Sequence, residues 1–97
     1  MPLFLIEHHH TAETCPRQNP DMVRALRSHV SDENAERMGL KLLSDWVNEL
    51  NHEVFIVVDT DSFAKAESFA APFGMNGSVE VKLGQTCEEV AKECLGE

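Results

Sequence analysis

One pentapeptide, Val54-Phe55-Ile56-Val57-Val58, is apolar at every position, and it limits the possible folds more than any other segment. Successive side chains of a β-strand point to opposite faces of a sheet, so a strand here presents apolar groups on both faces. The N-terminal segment behaves similarly, with Leu3 and Leu5 on one face and Phe4 and Ile6 on the other. A sheet that contains both strands needs a covering layer on each side.

Four strands are predicted from runs of apolar residues or from alternation of apolar and polar residues. They cover residues 3–10, 40–47, 54–58 and 78–83. In the second strand, simple alternation places Leu42 and Trp46 on one face and Val47 on the other. The polar segment between the second and third strands is typical of a hairpin turn.

Helical segments lie between these strands. One begins at Pro20, and a short helical turn after it ends at Gly39, a residue suited to a helix C-terminus. A third helix follows Asp59 and Asp61, either of which can cap it. The last helix begins at a T-x-x-E capping box, residues 86–89. It carries an apolar stripe that we expect to be buried, formed by Cys87, Val90, Ala91, Cys94 and Leu95.

The order β-α-β-β-α-β followed by one helix predicts an α+β, ferredoxin-like fold in a single domain, residues 1–97. Right-handed crossovers place the third strand between the first and second, and the first between the third and fourth. Helices then cover only one face of the antiparallel sheet. Because monomers rarely expose a large apolar patch, we expect a symmetric homodimer that packs the two uncovered faces together.

Charge and cysteine content narrow the class of partner. Seventeen acidic residues against eight basic ones give a formal net charge of −9, which disfavours nucleic acid and anionic membrane surfaces. The chain has no apolar run near the roughly 20 residues that span a bilayer. Three cysteines without a CxxC pair disfavour a disulfide framework. We therefore expect a cytoplasmic domain that binds neither nucleic acid nor membrane.

The segment Glu7-His8-His9-His10 contains the side chains best suited to metal binding or proton transfer. His8 and His10 share one strand face, and antiparallel pairing brings His52 near them. With Cys15 on the following loop, His8 and His10 are candidate ligands for zinc or a similar metal. They are also candidates for catalytic acid–base groups, and a structural role at the rim of the sheet is the leading alternative to both. The sequence identifies no cofactor and leaves open which sheet face carries the two histidines.

The strand–helix order, the apolar strand Val54–Val58 and the helix entry Asp59–Ala66 together resemble the dimeric α/β-barrel superfamily of ferredoxin-like proteins. The resemblance implies that two sheets pair into a barrel whose interior can form a cavity. That superfamily includes cofactor-independent monooxygenases, lactone isomerases, haem-dependent enzymes and stress-responsive proteins. No catalytic motif of these branches matches this chain residue by residue, so no residue role is transferred.

Two functions follow from this sequence-based interpretation. The first is a homodimeric barrel that binds a small apolar or amphipathic molecule between or beneath the sheets. Its candidate binding residues are Phe4, Ile6, Leu42, Trp46 and Phe55, which can alternatively fill the interior completely. The second is a small oxygenase- or isomerase-like enzyme, or a metal-binding protein, that uses His8 and His10 at the barrel mouth.

Overall fold

Four antiparallel strands form one sheet in the computed structural model, which describes residues 2–97. The strands are β1 (Leu3–His10), β2 (Lys41–Asn48), β3 (Glu53–Asp59) and β4 (Gly77–Gly84). The α-helices are α1 (Pro20–His29), α2 (Asp32–Arg37), α3 (Phe63–Ala70) and α4 (Cys87–Leu95), and short 3-10 helices span Pro16–Gln18 and Ala71–Met75. The spatial order β2-β3-β1-β4 confirms the predicted ferredoxin-like topology.

Helix boundaries follow from local capping. Asn19, Ser31, Ser62 and Thr86 each accept a hydrogen bond from a backbone N–H in the first turn of the helix that follows. The cap of α3 is therefore Ser62, and the prediction of Asp59 or Asp61 is wrong. The predicted end of the short helix α2 at Gly39 is confirmed, since this residue has a φ of +83°.

The core lies between the sheet and one layer of helices. Strands β1 and β3 supply alternate residues to it, and α3 packs Ala66, Phe69 and Ala70 against them. The buried apolar residues are Phe4, Ile6, Ala35, Leu40, Ile56, Val58, Ala66, Phe69, Ala70 and Phe73. Helices thus cover one face of the sheet, as predicted.

An irregularity in β2 changes which face its residues occupy. The pairing of β2 with β3 shifts between Leu42 and Ser44, which is the signature of a β-bulge. Leu42 pairs with Val58 on the helix-covered face, whereas Trp46 pairs with Phe55 on the opposite face. The prediction that Leu42 and Trp46 share a face is wrong because the extra residue reverses the alternation after Leu42.

The apolar stripe of α4 is not covered by its own chain. Within the described helix, all five stripe residues are exposed, so the expectation that Cys87 and Cys94 are buried is wrong. The helix follows the edge strand β4 and makes few contacts with the sheet. Its apolar side chains therefore have little surface of the same chain to pack against, and Leu95 remains 71% exposed.

Helix length is also informative about membranes. Among residues 2–97, no helix combines the length and the apolar character that crossing a bilayer requires.

Candidate functional site

The sheet face without helices, called the open face below, is apolar along its centre. Trp46 is 48% exposed there, and its ring centroid lies 5.0 Å from that of Phe55. Leu3, Leu5 and Val57 continue the apolar surface, because they alternate with core residues along β1 and β3.

Charged residues border this apolar surface. Lys82 places its Nζ 2.9 Å from an Oε of Glu7 and 3.3 Å from an Oε of Glu80. Both carboxylates and the ammonium group lie on the open face, since their strands pair β1 with β4 in register. The Lys82 ammonium, as hydrogen-bond donor, lowers the pKa of Glu7. Glu7 in turn raises the pKa of Lys82, so this ion pair is charged at neutral pH.

The five sequence-predicted binding residues are divided between the two faces. Phe4 and Ile6 are buried beneath the helices, and Leu42 packs against the same core. Trp46 and Phe55 lie on the open face. The five side chains therefore do not line a single surface, and only the aromatic pair belongs to the open face.

His8 and His10 lie on the helix-covered face at the end of β1, in line with Phe4 and Ile6. His8 is 1% exposed, and its Nδ1 lies 3.0 Å from the carbonyl oxygen of Ser78. A carbonyl oxygen only accepts hydrogen bonds, so Nδ1 of His8 carries the proton.

A second hydrogen bond links the two rings. Nδ1 of His10 lies 3.0 Å from Nε2 of His8. In neutral His8 that Nε2 is unprotonated, so it accepts and His10 donates. Nε2 of neutral His10 consequently keeps a free lone pair. The chain Ser78–His8–His10 therefore orients the His10 ring and selects its tautomer.

Burial favours the neutral form of both rings. Desolvation lowers the pKa of His8, against the opposing effect of the hydrogen bond to Ser78. Desolvation also lowers the pKa of His10, and the nearby His52 ring lowers it further.

His52 approaches this pair from the β2–β3 hairpin. Its carbonyl oxygen accepts a hydrogen bond from the His10 backbone N–H at 3.0 Å, and the two ring centroids are 5.2 Å apart. The His52 backbone has a φ of +54°, a left-handed conformation uncommon outside glycine. Its Nδ1 is buried without a hydrogen-bond partner in the described part of the chain.

Cys15 completes a three-residue cluster. One ring nitrogen of His10, one of His52 and the Sγ of Cys15 all lie within 4.8 Å of one another. We call this set the His10–Cys15–His52 cluster. The sequence-predicted metal set is thus brought together only in part, because His8 lies behind His10 and His52 takes the third position. Antiparallel pairing indicated that His52 is near, but not that its side chain joins the cluster.

His9 has a different environment from its neighbours. It alternates to the open face, where its Nδ1 lies 3.5 Å from a carboxylate oxygen of Glu53. His9 therefore does not belong to the cluster.

Surface depressions adjoin the cluster. One of about 540 Å³ is lined by His10, Thr14, Met75 and Asn76 among others, and one of about 410 Å³ includes Cys15. Sequence reasoning missed Met75 and Asn76, which reach the site through the 3-10 helix after α3. The arrangement can accept a proton at His10 or bind a metal ion, with a small molecule alongside.

Comparisons with known proteins agree with this architecture. The chain is similar to the crystal structure of an antibiotic biosynthesis monooxygenase, with a TM-score of 0.57 and 12% sequence identity over 89% of this chain and 98% of that one. At this identity the similarity establishes the fold alone. No curated protein matches the chain. A family model described as a domain of unknown function, DUF3303, matches residues 3–94. Because that match spans nearly the whole sequence, the chain belongs to the DUF3303 family.

Proposed function

We propose that this protein works as a homodimer whose two open faces pack together and enclose a small apolar or amphipathic molecule. The observation that carries the proposal is the aromatic pair of exposed Trp46 and half-buried Phe55 at the centre of an uncovered sheet face. Contiguous exposed apolar surface of this kind marks a site of association or ligand binding.

The dimensions of the chain support association. It exposes 6597 Å², whereas a monomer of 10.9 kDa typically exposes about 5,600 Å². The excess of about 1,000 Å² is close to the roughly 800 Å² that each partner buries in a standard interface. The radius of gyration, 14.6 Å, likewise exceeds the roughly 12.5 Å of a globular chain of this length. A second copy on the open face would cover part of the excess surface.

The exposed helix α4 supports the same interpretation. Val90 and Leu95 are exposed on it, at 44% and 71%. A partner chain would supply the apolar surface that these side chains lack within their own chain.

The chemistry of the open face suggests the kind of molecule that is bound. Packed sheets lie about 10 Å apart, and the bulky Trp46–Phe55 pair stands beside the much smaller Ser44 and Val57. This uneven surface leaves space for an apolar group next to the rings. The nearby Glu7–Lys82 ion pair offers a polar anchor, which favours an amphipathic molecule.

Sedimentation equilibrium and native mass spectrometry of untagged protein test the proposal. We expect twice the chain mass at micromolar concentration, together with a bound organic molecule of a few hundred daltons by the size of such pockets. Val57→Lys places a charge on the open face and should give a monomer with an unchanged circular dichroism spectrum. Leu50→Lys is the matched control, because Leu50 is 91% exposed in the turn between β2 and β3 and belongs to neither strand.

Each result bears on one part of the proposal. A wild-type monomer, or a dimer that Val57→Lys leaves intact, contradicts association through the open face. A dimer whose mass equals two chains contradicts ligand binding while retaining the interface.

Proton transfer at His10 is a second candidate function, favoured by the Ser78–His8–His10 hydrogen-bond chain. An oriented imidazole with a free lone pair beside a depression is suited to act as a general base. Nitrogen-15 NMR of metal-free protein should show His10 protonated at Nδ1 and not at Nε2. The opposite tautomer would contradict this candidate.

A further inference from the structure

We infer that His10, Cys15 and His52 bind one divalent transition-metal ion of the zinc type, with His8 as a positioning residue behind His10. This inference goes beyond the proposed dimer and does not depend on it, because the cluster lies within one chain. It rests on the distances, the donor atoms and the hydrogen bonds of four residues.

The distances are close to those of a tetrahedral site. Zinc bonds of about 2.0 Å to nitrogen and 2.3 Å to sulfur place neighbouring ligand atoms roughly 3.3–3.6 Å apart. The three donor atoms already lie within 4.8 Å of one another. A shift of about 1 Å in these half-buried side chains is enough to close the remaining gap, and Cys15 lies on a loop that can accommodate it.

The donor set selects the class of ion. Two imidazoles and one thiolate are borderline-to-soft ligands, which favour zinc and its neighbours over magnesium or calcium. The thiol of Cys15 must lose its proton to bind, and that proton passes to solvent. The net charge of −9 favours a cation in general but does not determine the ion.

The hydrogen bonds behind His10 are those expected of a metal-binding histidine. Such a ring usually donates its second N–H to another group, which orients it and fixes the tautomer. Here Nδ1 of His10 donates to His8, and His8 donates to the Ser78 carbonyl. The lone pair on Nε2 of His10 is thereby directed away from His8.

His52 provides an independent observation. Its Nδ1 is buried and unpartnered among residues 2–97, and buried polar atoms of this kind normally have a partner. The residue also adopts a left-handed backbone while its carbonyl pairs with His10. A metal ion bound at Nδ1 of His52 would supply the missing partner.

Three protein ligands leave one tetrahedral position for solvent or a small molecule. Within the described residues, the cluster contains only these three donors. Sites with three protein ligands and an open position are typical of metals that act on a bound molecule. The adjoining depression, lined partly by His10 and Thr14, gives such a molecule access. A metal ion on His10 would occupy the lone pair that proton transfer requires. Proton transfer at His10 is therefore expected only in metal-free protein.

Cobalt titration of untagged, chelator-treated protein tests the inference. We expect one Co²⁺ per chain and a thiolate-to-cobalt charge-transfer absorption, which zinc abolishes by displacement. Cys15→Ser should remove that absorption, and His52→Gln should weaken cobalt affinity by more than tenfold. His8→Asn should weaken it about 10–100-fold, as loss of a partner behind a metal-binding histidine does.

Matched controls distinguish the cluster from adventitious binding. Cys94→Ser and His9→Gln change the same residue types away from the cluster and should bind cobalt as the wild type does. Absence of the absorption in the wild type, or its persistence in Cys15→Ser, would overturn the inference.

A second measurement needs no variant. Zinc should slow the alkylation of Cys15 by iodoacetamide and leave the alkylation rates of Cys87 and Cys94 unchanged, as peptide mass spectrometry would show. Equal protection of all three cysteines, or of none, would contradict the site. Because these readouts compare protein with and without metal, and the cluster lies within one chain, they separate this inference from the proposed dimer.

Discussion

Nδ1 of His10 and Nε2 of His8 lie 3.0 Å apart, and the Ser78 carbonyl at the other end of this chain determines which atom donates. The two hydrogen bonds therefore run in one direction, since each ring donates from Nδ1 and keeps Nε2 as an acceptor. Buried His8 thus determines the tautomer of half-buried His10 at the end of β1.

Burial of neutral His8 makes stability depend on pH. The pKa of His8 is lowered in the folded chain below the ordinary value of about 6.5, so the unfolded chain binds more protons as pH falls. The stabilising contribution is complete above about pH 6.5 and is lost as pH falls through the folded pKa. Urea unfolding of metal-free protein at pH 7.5 and 5.5 should show this decrease. The decrease should be smaller in His8→Asn, and an equal decrease would contradict the assignment.

Ile56 should contribute far more to stability than a strand residue outside the core. It is fully buried under the helices, so Ile56→Ala should lower the free energy of unfolding by about 2–5 kcal/mol. Val47→Ala removes apolar atoms from a 59% exposed side chain on β2 and should cost less than about 1 kcal/mol. Chemical denaturation measures both, and similar losses would show that the core is misplaced.

Gly77 should not tolerate a side chain. A Cβ there would collide with the His9 carbonyl oxygen and approach Cε1 of His8 to 2.9 Å. Gly77→Ala should therefore destabilise the chain by at least about 1 kcal/mol and disturb the His8 ring. Gly84→Ala, at the other end of β4, meets nothing within 4 Å in the described structure and serves as the control. Equal thermal stability of the two variants would contradict the close approach of β1 and β4.

Trp46 is the one tryptophan of the sequence, so its fluorescence reports on the open face. If two open faces pack together, wild-type emission should lie at shorter wavelength, and acrylamide should quench it less, than in Val57→Lys. Leu50→Lys should behave as the wild type does. Identical quenching in all three proteins would place Trp46 outside the interface.

Local patterns in the sequence predicted the strands, their spatial order and the single helical layer. The strands followed from apolar runs such as Val54–Val58 and from two-residue periods, and the right-handed crossover rule then gave the spatial order. The capping box at Thr86 was predicted and is observed for the same reason, since its backbone hydrogen bond spans three residues.

Other features depend on pairing between distant segments. The bulge after Leu42 exists only in the register of β2 against β3, and it moves Trp46 to the open face. Helix α4 is exposed because the chain, on leaving the edge strand β4, places this helix where it makes few contacts with the sheet.

The His10–Cys15–His52 cluster likewise depends partly on local sequence and partly on contacts between distant segments. The sequence by itself determined that His8 and His10 share a face, that antiparallel pairing brings His52 near them, and that Cys15 follows on a loop. Only the tertiary structure decided that His8 is buried behind His10 and that His52 joins Cys15 in its place. The reason is physical: strand periodicity sets the direction of a side chain, but contacts between residues 10, 15 and 52 require the hairpin and the loop to close onto the end of β1.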